Sequence, residues 1–169
     1  MNATATERPT CQPPIIDNIP QEMKNAVRWV VWRYDLEKSG WTKVPYRVDG
    51  RGRASSTDPV TWGTFDQALQ AFDAGDYAGI GFALGDGWAG IDFDDNLDDE
   101  GRYVWGAEII AAFDSYKEVS PSGTGIKIFI RGVKPAGSKC SKRGFGPDGI
   151  GKLEVYDNAR WFAVTGDAL

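Results

Sequence analysis

The stretch that most limits what this chain can fold into is Gly90-Ile91-Asp92-Phe93-Asp94-Asp95, where carboxylates two residues apart interrupt an apolar run. In a β-strand the side chains alternate between faces, so Asp92 and Asp94 share one face while Ile91 and Phe93 turn into the core. Their Cα atoms then stand roughly 7 Å apart by strand rise. Two such carboxylates repel, and a divalent cation between them removes the repulsion. An all-oxygen ligand set favours Mg²⁺ or Mn²⁺ over zinc or copper. The same residues also suit an acidic turn closing a strand, because Asn96-Leu97-Asp98-Asp99-Glu100-Gly101 follows directly. An EF-hand is excluded: counted from Asp92, its glycine position holds Leu97 and its glutamate position holds Tyr103.

The chain has 169 residues, enough for one domain with a single core. It contains no histidine. That removes Ser-His-Asp and Cys-His nucleophile systems and imidazole-ligated zinc hydrolases, leaving carboxylates, lysines and metal to carry chemistry. Cys11 and Cys140 stand far apart, which fits free thiols in a reducing compartment. No apolar run reaches membrane-spanning length and no signal-peptide order opens the chain, so a cytoplasmic protein without a membrane partner is expected. Net charge is −5 but uneven: residues 24–53 hold eight Lys/Arg against three Asp/Glu, residues 58–118 two against fourteen, and residues 119–160 eight against three. An acidic centre between basic flanks excludes a uniformly basic nucleic-acid glove and leaves local basic surfaces for a phosphate backbone.

Residues 1–19, with Pro9, Pro13 and Pro14, read as a flexible tail, and residues 20–169 as the folded domain. Gln21 to Ala26 suits one helical turn, residues 27–34 a strand, and Thr42 to Val48 a second strand of a hairpin, in which Pro45 requires an edge or a bulge. Thr64 and Gln67 form the ends of a capping box opening a helix with Phe65, Ala68, Leu69 and Phe72 at helical spacing. Residues 77–84 and 88–93 predict a second hairpin across Gly85-Asp86-Gly87. Residues 105–113 have helical character, with Ile109, Ile110 and Phe113 on a buried stripe. Residues 133–149 read as a long glycine-rich loop carrying Lys134, Lys139, Lys142 and Arg143. The last two strands, around Leu153-Glu154-Val155 and Trp161-Phe162-Ala163, predict a hairpin through Asp157-Asn158-Ala159.

Ser120-Pro121-Ser122-Gly123-Thr124-Gly125 runs into Ile126-Lys127-Ile128-Phe129-Ile130-Arg131. The Walker A spacing is missing. Alternation turns the isoleucines to the core and puts Lys127 and Arg131 on the opposite face, so the stretch fits a polyphosphate seat or a plain amphipathic strand. Lys152, Glu154 and Tyr156 alternate likewise, which makes Glu154 a third acidic candidate from a third strand.

Three features together resemble the archaeo-eukaryotic primase superfamily, in particular the primase-polymerase domains of phage and plasmid replication proteins. They are the Asp-x-Asp at Asp92 and Asp94, the Ser-Pro-Ser-Gly-Thr-Gly-x-Lys at Ser120–Lys127, and Leu153-Glu154-Val155-Tyr156 followed by Arg160-Trp161-Phe162 and Thr165-Gly166. Lys43-x-Pro45-Tyr46 and Ser55-Ser56-Thr57-Asp58-Pro59 with Trp62 are also similar to that group, and the likeness runs from about Trp29 to Gly166. The resemblance implies a palm-like, RRM-like α/β (α+β) domain with a mixed, largely antiparallel sheet and flanking helices. It implies a DNA-dependent nucleotidyltransferase in which Asp92, Asp94 and Glu154 hold two Mg²⁺ or Mn²⁺ ions. Lys127 and Arg131 would meet the triphosphate of a (d)NTP, with Arg160 as a further phosphate contact. Ser120, Ser122, Gly123, Thr124, Gly125 and Tyr156 would shape the nucleotide seat. Lys43, Arg47, Arg51, Arg53, Ser55, Ser56, Lys134, Lys139, Lys142 and Arg143 would contact a single-stranded DNA template and primer.

Family relatives commonly join this domain to a helicase, so an excised catalytic module of a replication protein is expected. One position departs from the pattern: Lys127 stands where the family carries a nucleotide-contacting histidine. A lysine keeps its charge near phosphates at physiological pH but cannot shuttle protons as imidazole does. Two other readings stay open: a catalytically inactive nucleic-acid-binding domain of a replication initiator, and a metal-dependent nuclease using the same carboxylates.

Overall fold

A computed structural model describes residues 7–169. The fold is α+β, with two antiparallel sheets in place of the one mixed sheet expected. The strands are β1 (Trp29–Glu37), β2 (Gly40–Tyr46), β3 (Gly79–Ala83), β4 (Trp88–Asp94), β5 (Lys117–Val119), β6 (Ile126–Arg131), β7 (Ser141–Phe145), β8 (Gly151–Tyr156) and β9 (Trp161–Val164). Among the described residues three short α-helices accompany them, α1 (Gln21–Lys24), α2 (Phe65–Asp73) and α3 (Ala107–Ala111). The first sheet runs β2-β1-β3-β9 and the second β5-β6-β4-β8-β7. No helix among the described residues is long and apolar enough to cross a membrane.

The β1–β2 hairpin forms as the sequence predicts, and Pro45 sits on β2, an edge strand, where its missing N–H costs no ladder bond. The Thr64/Gln67 capping box opens α2. Two predicted hairpins do not form. β3 and β4 lie in different sheets, and the only backbone pairing at their turn is the Gly85–Trp88 bridge. Both edges of β3 are already taken, by β1 and β9, so β4 must leave for the second layer. β8 and β9 separate in the same way, β8 pairing with β4 and β9 with β3. The predicted loop over residues 133–149 contains β7, a strand of low β-propensity residues paired to β8 with a bulge between Arg143 and Phe145.

One core fills the space between the sheets and α2, with Trp29, Phe82, Trp88, Phe129 and Phe162 in edge-on aromatic contact. The second core lies on the other face of the second sheet, where Ile91, Phe93, Ile126 and Ile128 pack with Leu97 and Ile110. Of the helical stripe expected there, Ile110 is buried and Phe113 partly so, while Ile109 is exposed. Gly90 joins the layers, because a Cβ on it would come within 2.3 Å of the Phe162 ring. The N-terminal segment is less free than its prolines suggest. The Ile15 N–H donates to the Thr165 carbonyl, the Cys11 thiol to the Ala78 carbonyl, and Ile19 is buried; residues 1–6 lie outside the described residues.

Glu118 on β5 is wholly buried and holds the C-terminal segment in place. Its carboxylate accepts from the backbone N–H groups of Thr165 and Gly166 and from the Tyr116 hydroxyl. Burial pushes the Glu118 carboxyl up to about 7, against these donors and the nearby Lys127 charge. The folded chain therefore keeps a proton that the unfolded chain, with an ordinary glutamate, releases near pH 4.5. Stability should fall as pH rises from about 4.5 to about 7, by up to roughly 3 kcal/mol, and level off above. Urea unfolding at pH 5 and pH 8 measures this slope. Glu118→Gln should remove most of it, and an equal slope in that variant would contradict the assignment.

Candidate metal centre and cleft

Strand pairing assembles the site. β4 is central in its sheet, and Asp92 stands directly opposite Lys127 on β6 and Glu154 on β8. Directly paired residues of antiparallel strands project to the same side, so Lys127, Asp92 and Glu154 form one row, which Glu118 extends through its pairing with Lys127. Asp94 follows two residues on, opposite Lys152.

Asp92, Asp94 and Glu154 each bring a carboxylate oxygen within 4.8 Å of the others. The Lys127 ammonium lies 2.7 Å from Asp92 Oδ2. The second oxygen, Asp92 Oδ1, is buried without a hydrogen-bond partner. An orphaned buried carboxylate oxygen is costly, and beside two further carboxylates it is an oxygen that a divalent cation would satisfy. The donor set is all oxygen and suits Mg²⁺ or Mn²⁺. Burial pushes the Asp94 carboxyl up, and the neighbouring Asp92 and Glu154 charges add to it. Glu154 is also buried, but hydrogen bonds from Lys152 Nζ at 2.6 Å and the Tyr156 hydroxyl at 2.7 Å, with Arg160 nearby, outweigh burial and hold it low. Tyr156 is pushed up to about 12 by burial and by this bond.

Beside the carboxylates, residues of both sheets line a cleft of about 540 Å³. Its cations are Lys43, Lys127 and Arg160, and its aromatic walls include Tyr34, Trp41 and Trp161. Lys43, expected among the template contacts, thus lines this cleft instead. Burial and the like charge of Lys127 push its ammonium down, partly offset by Asp92. Ser56 lines the same cleft.

Other expected residues lie elsewhere. Arg131 is at the far end of β6, over the Trp88 ring and 3.3 Å from Glu22, roughly 13 Å from Lys127 by strand rise. Ser122, Gly123 and Thr124 line a separate cavity rimmed by Asp98, Asp99 and Asp167, and the Ser120, Ser122 and Thr124 hydroxyls bond in a chain. Gly125 packs where a Cβ would meet the Phe93 carbonyl oxygen at 2.4 Å, so it serves close strand approach. Arg47 pairs with Asp49 and Arg53 with Asp35 and Glu37, which offsets two of the three arginine charges of that stretch; Arg51 donates only its backbone N–H, to Asp49. Ser55 holds its own loop, its N–H donating to Thr61 and its carbonyl accepting from Trp62. Lys134 donates to Asp157 and Ser138, whereas Lys139, Lys142 and Arg143 are exposed. Lys152 was visible by alternation as a neighbour of Glu154. Tyr34 and Trp41 carried no local signal, since they reach the cleft through packing of the sheets.

Fold and site define an α+β domain with an acidic cluster able to take a divalent cation, set against a cation-lined cleft of a size that holds small ligands. The chain is similar to the DNA primase-polymerase of Nitratiruptor phage NrS-1, with 35% identity over 149 residues and 86% of this chain covered. It spans 20% of the length of that phage protein. That similarity supports a relationship to primase-polymerases. No family model matches the chain.

Because Asp94 sits among like charges, Asp94→Asn should leave the metal-free protein as stable as wild type, or more stable by up to ~1 kcal/mol. The same variant should weaken Mn²⁺ binding roughly tenfold or more, as read by electron paramagnetic resonance titration. Unchanged Mn²⁺ affinity would remove Asp94 from the centre.

Proposed function

We propose that this chain is the nucleotidyl-transfer domain of a DNA primase-polymerase, taking a nucleoside triphosphate into the cleft between its sheets and joining it to a primer end on a DNA template. The observation that carries the reading is the convergence of Asp92, Asp94 and Glu154 within 4.8 Å, with a buried, unpartnered Asp92 Oδ1. The similarity to a phage DNA primase-polymerase supports it further. Mg²⁺ or Mn²⁺, when bound by these carboxylates, supplies Lewis-acid charge for the attacking hydroxyl and the leaving pyrophosphate. Lys127 and Lys43 draw the phosphate tail into the cleft with two charges, and Arg160 closes its rim. Lys152 and Tyr156 hold Glu154 ionised and fixed in orientation. Tyr34, Trp41 and Trp161 offer flat apolar surface to a base. Apart from Arg160, the residues that would assist the reaction sit on paired strands, which hold position better than loops.

A second reading has one observation in its favour. The Lys127 ammonium on Asp92 Oδ2 already neutralises one carboxylate of the cluster, as it would in a nucleic-acid-binding domain that has lost its chemistry. Primer extension on a DNA template with Mg²⁺ or Mn²⁺ separates the two. Under the proposal the wild type incorporates nucleotides, Asp92→Ala loses at least ~100-fold in rate while staying folded, and Lys43→Ala raises the KM for triphosphate ~3–10-fold. Incorporation by Asp92→Ala equal to wild type would refute the catalytic assignment. DNA binding by a wild type that incorporates nothing would favour the second reading.

A further inference from the structure

β7 is the outer edge of the second sheet and was not visible as a strand, yet its register sorts its cations onto two faces. Arg143 stands opposite Lys152, and Lys152 opposite Asp94, so Arg143 projects on the carboxylate face. Lys142 stands opposite Leu153, which packs into the second core, so it projects on the reverse face, where it covers the Phe145 ring stacked on Trp105. Arg143 is exposed and makes no ion pair among the described residues. Two strand spacings separate it from Asp94, about 10 Å.

We propose that Arg143 is a seat for the phosphate backbone of the primer strand, gripping it as it leaves the carboxylate cluster across β8 and β7. This rests on the nucleotidyl-transfer reading and names the strand's path on that site. At 3.4 Å of rise per nucleotide in one strand, a 10 Å offset places Arg143 about three nucleotides back from the joining end. Lys152 lies on the route but is engaged with Glu154, which leaves Arg143 as the free charge there. Cations on an edge strand also guard against edge-to-edge pairing, but that role is served equally from either face. The face dependence is therefore diagnostic.

The test is fluorescence anisotropy of the whole chain with a labelled primer–template, without metal or nucleotide, over a salt series. Arg143→Ala should weaken binding ~3–10-fold and flatten the logarithmic salt dependence by about one; Lys142, grouped with Arg143 by the family resemblance but turned to the reverse face by its register, should as Lys142→Ala stay within about twofold of wild type. Equal losses in the two variants, or no loss in Arg143→Ala, would overturn the proposal. Because binding is read without turnover, a chain that fails to polymerise but shows this pattern refutes the catalytic reading alone.

Discussion

Negative charges forced together on one sheet face must be balanced, and the way this chain balances them organises the rest of the molecule. The row Glu118, Lys127, Asp92 and Glu154 crosses four strands, with Lys127 between two acids and Lys152, Tyr156 and Arg160 on the far flank of Glu154. Glu154 and one oxygen of Asp92 are satisfied from within. Asp94 and Asp92 Oδ1 are not, and this residue of uncompensated charge gives a cation a reason to bind.

The first sheet turns that row from a surface feature into a site. Phe162 on β9 packs against Gly90 and lies under the Lys127 ammonium, so the layers meet closely up to the carboxylates and open beyond them. β2 contributes Lys43 and Trp41 to the opposite wall of the opening. Cations on both walls stand with Asp92 in the cleft lining, an arrangement that suits a ligand whose anionic tail is shared between protein and metal.

The sequence makes local features legible and long-range ones obscure. Alternation alone places Asp92 with Asp94 and Lys152 with Glu154 and Tyr156, because it depends only on strand geometry. The cap of α2 and the edge position of Pro45 are equally local. The two failed hairpins depend on partner choice: a short glycine turn normally returns a strand beside its predecessor, and here β3 had no free edge to offer. β7 escaped notice because its residues have little intrinsic strand preference and take their conformation from β8. The same limit misplaced individual residues. Arg131 shares a face with Lys127 as alternation requires, but that face runs past the cleft to Trp88 and Glu22. By sequence position Lys43 belongs with the basic segment after it, yet the fold turns it inward to Asp92.

The most direct test of the account is anomalous diffraction from crystals of the chain soaked in Mn²⁺. A peak bounded by Asp92 Oδ1, Asp94 and Glu154 is the predicted result. A peak confined to the other acidic rim at Asp98 and Asp99, with none at the central row, would contradict it.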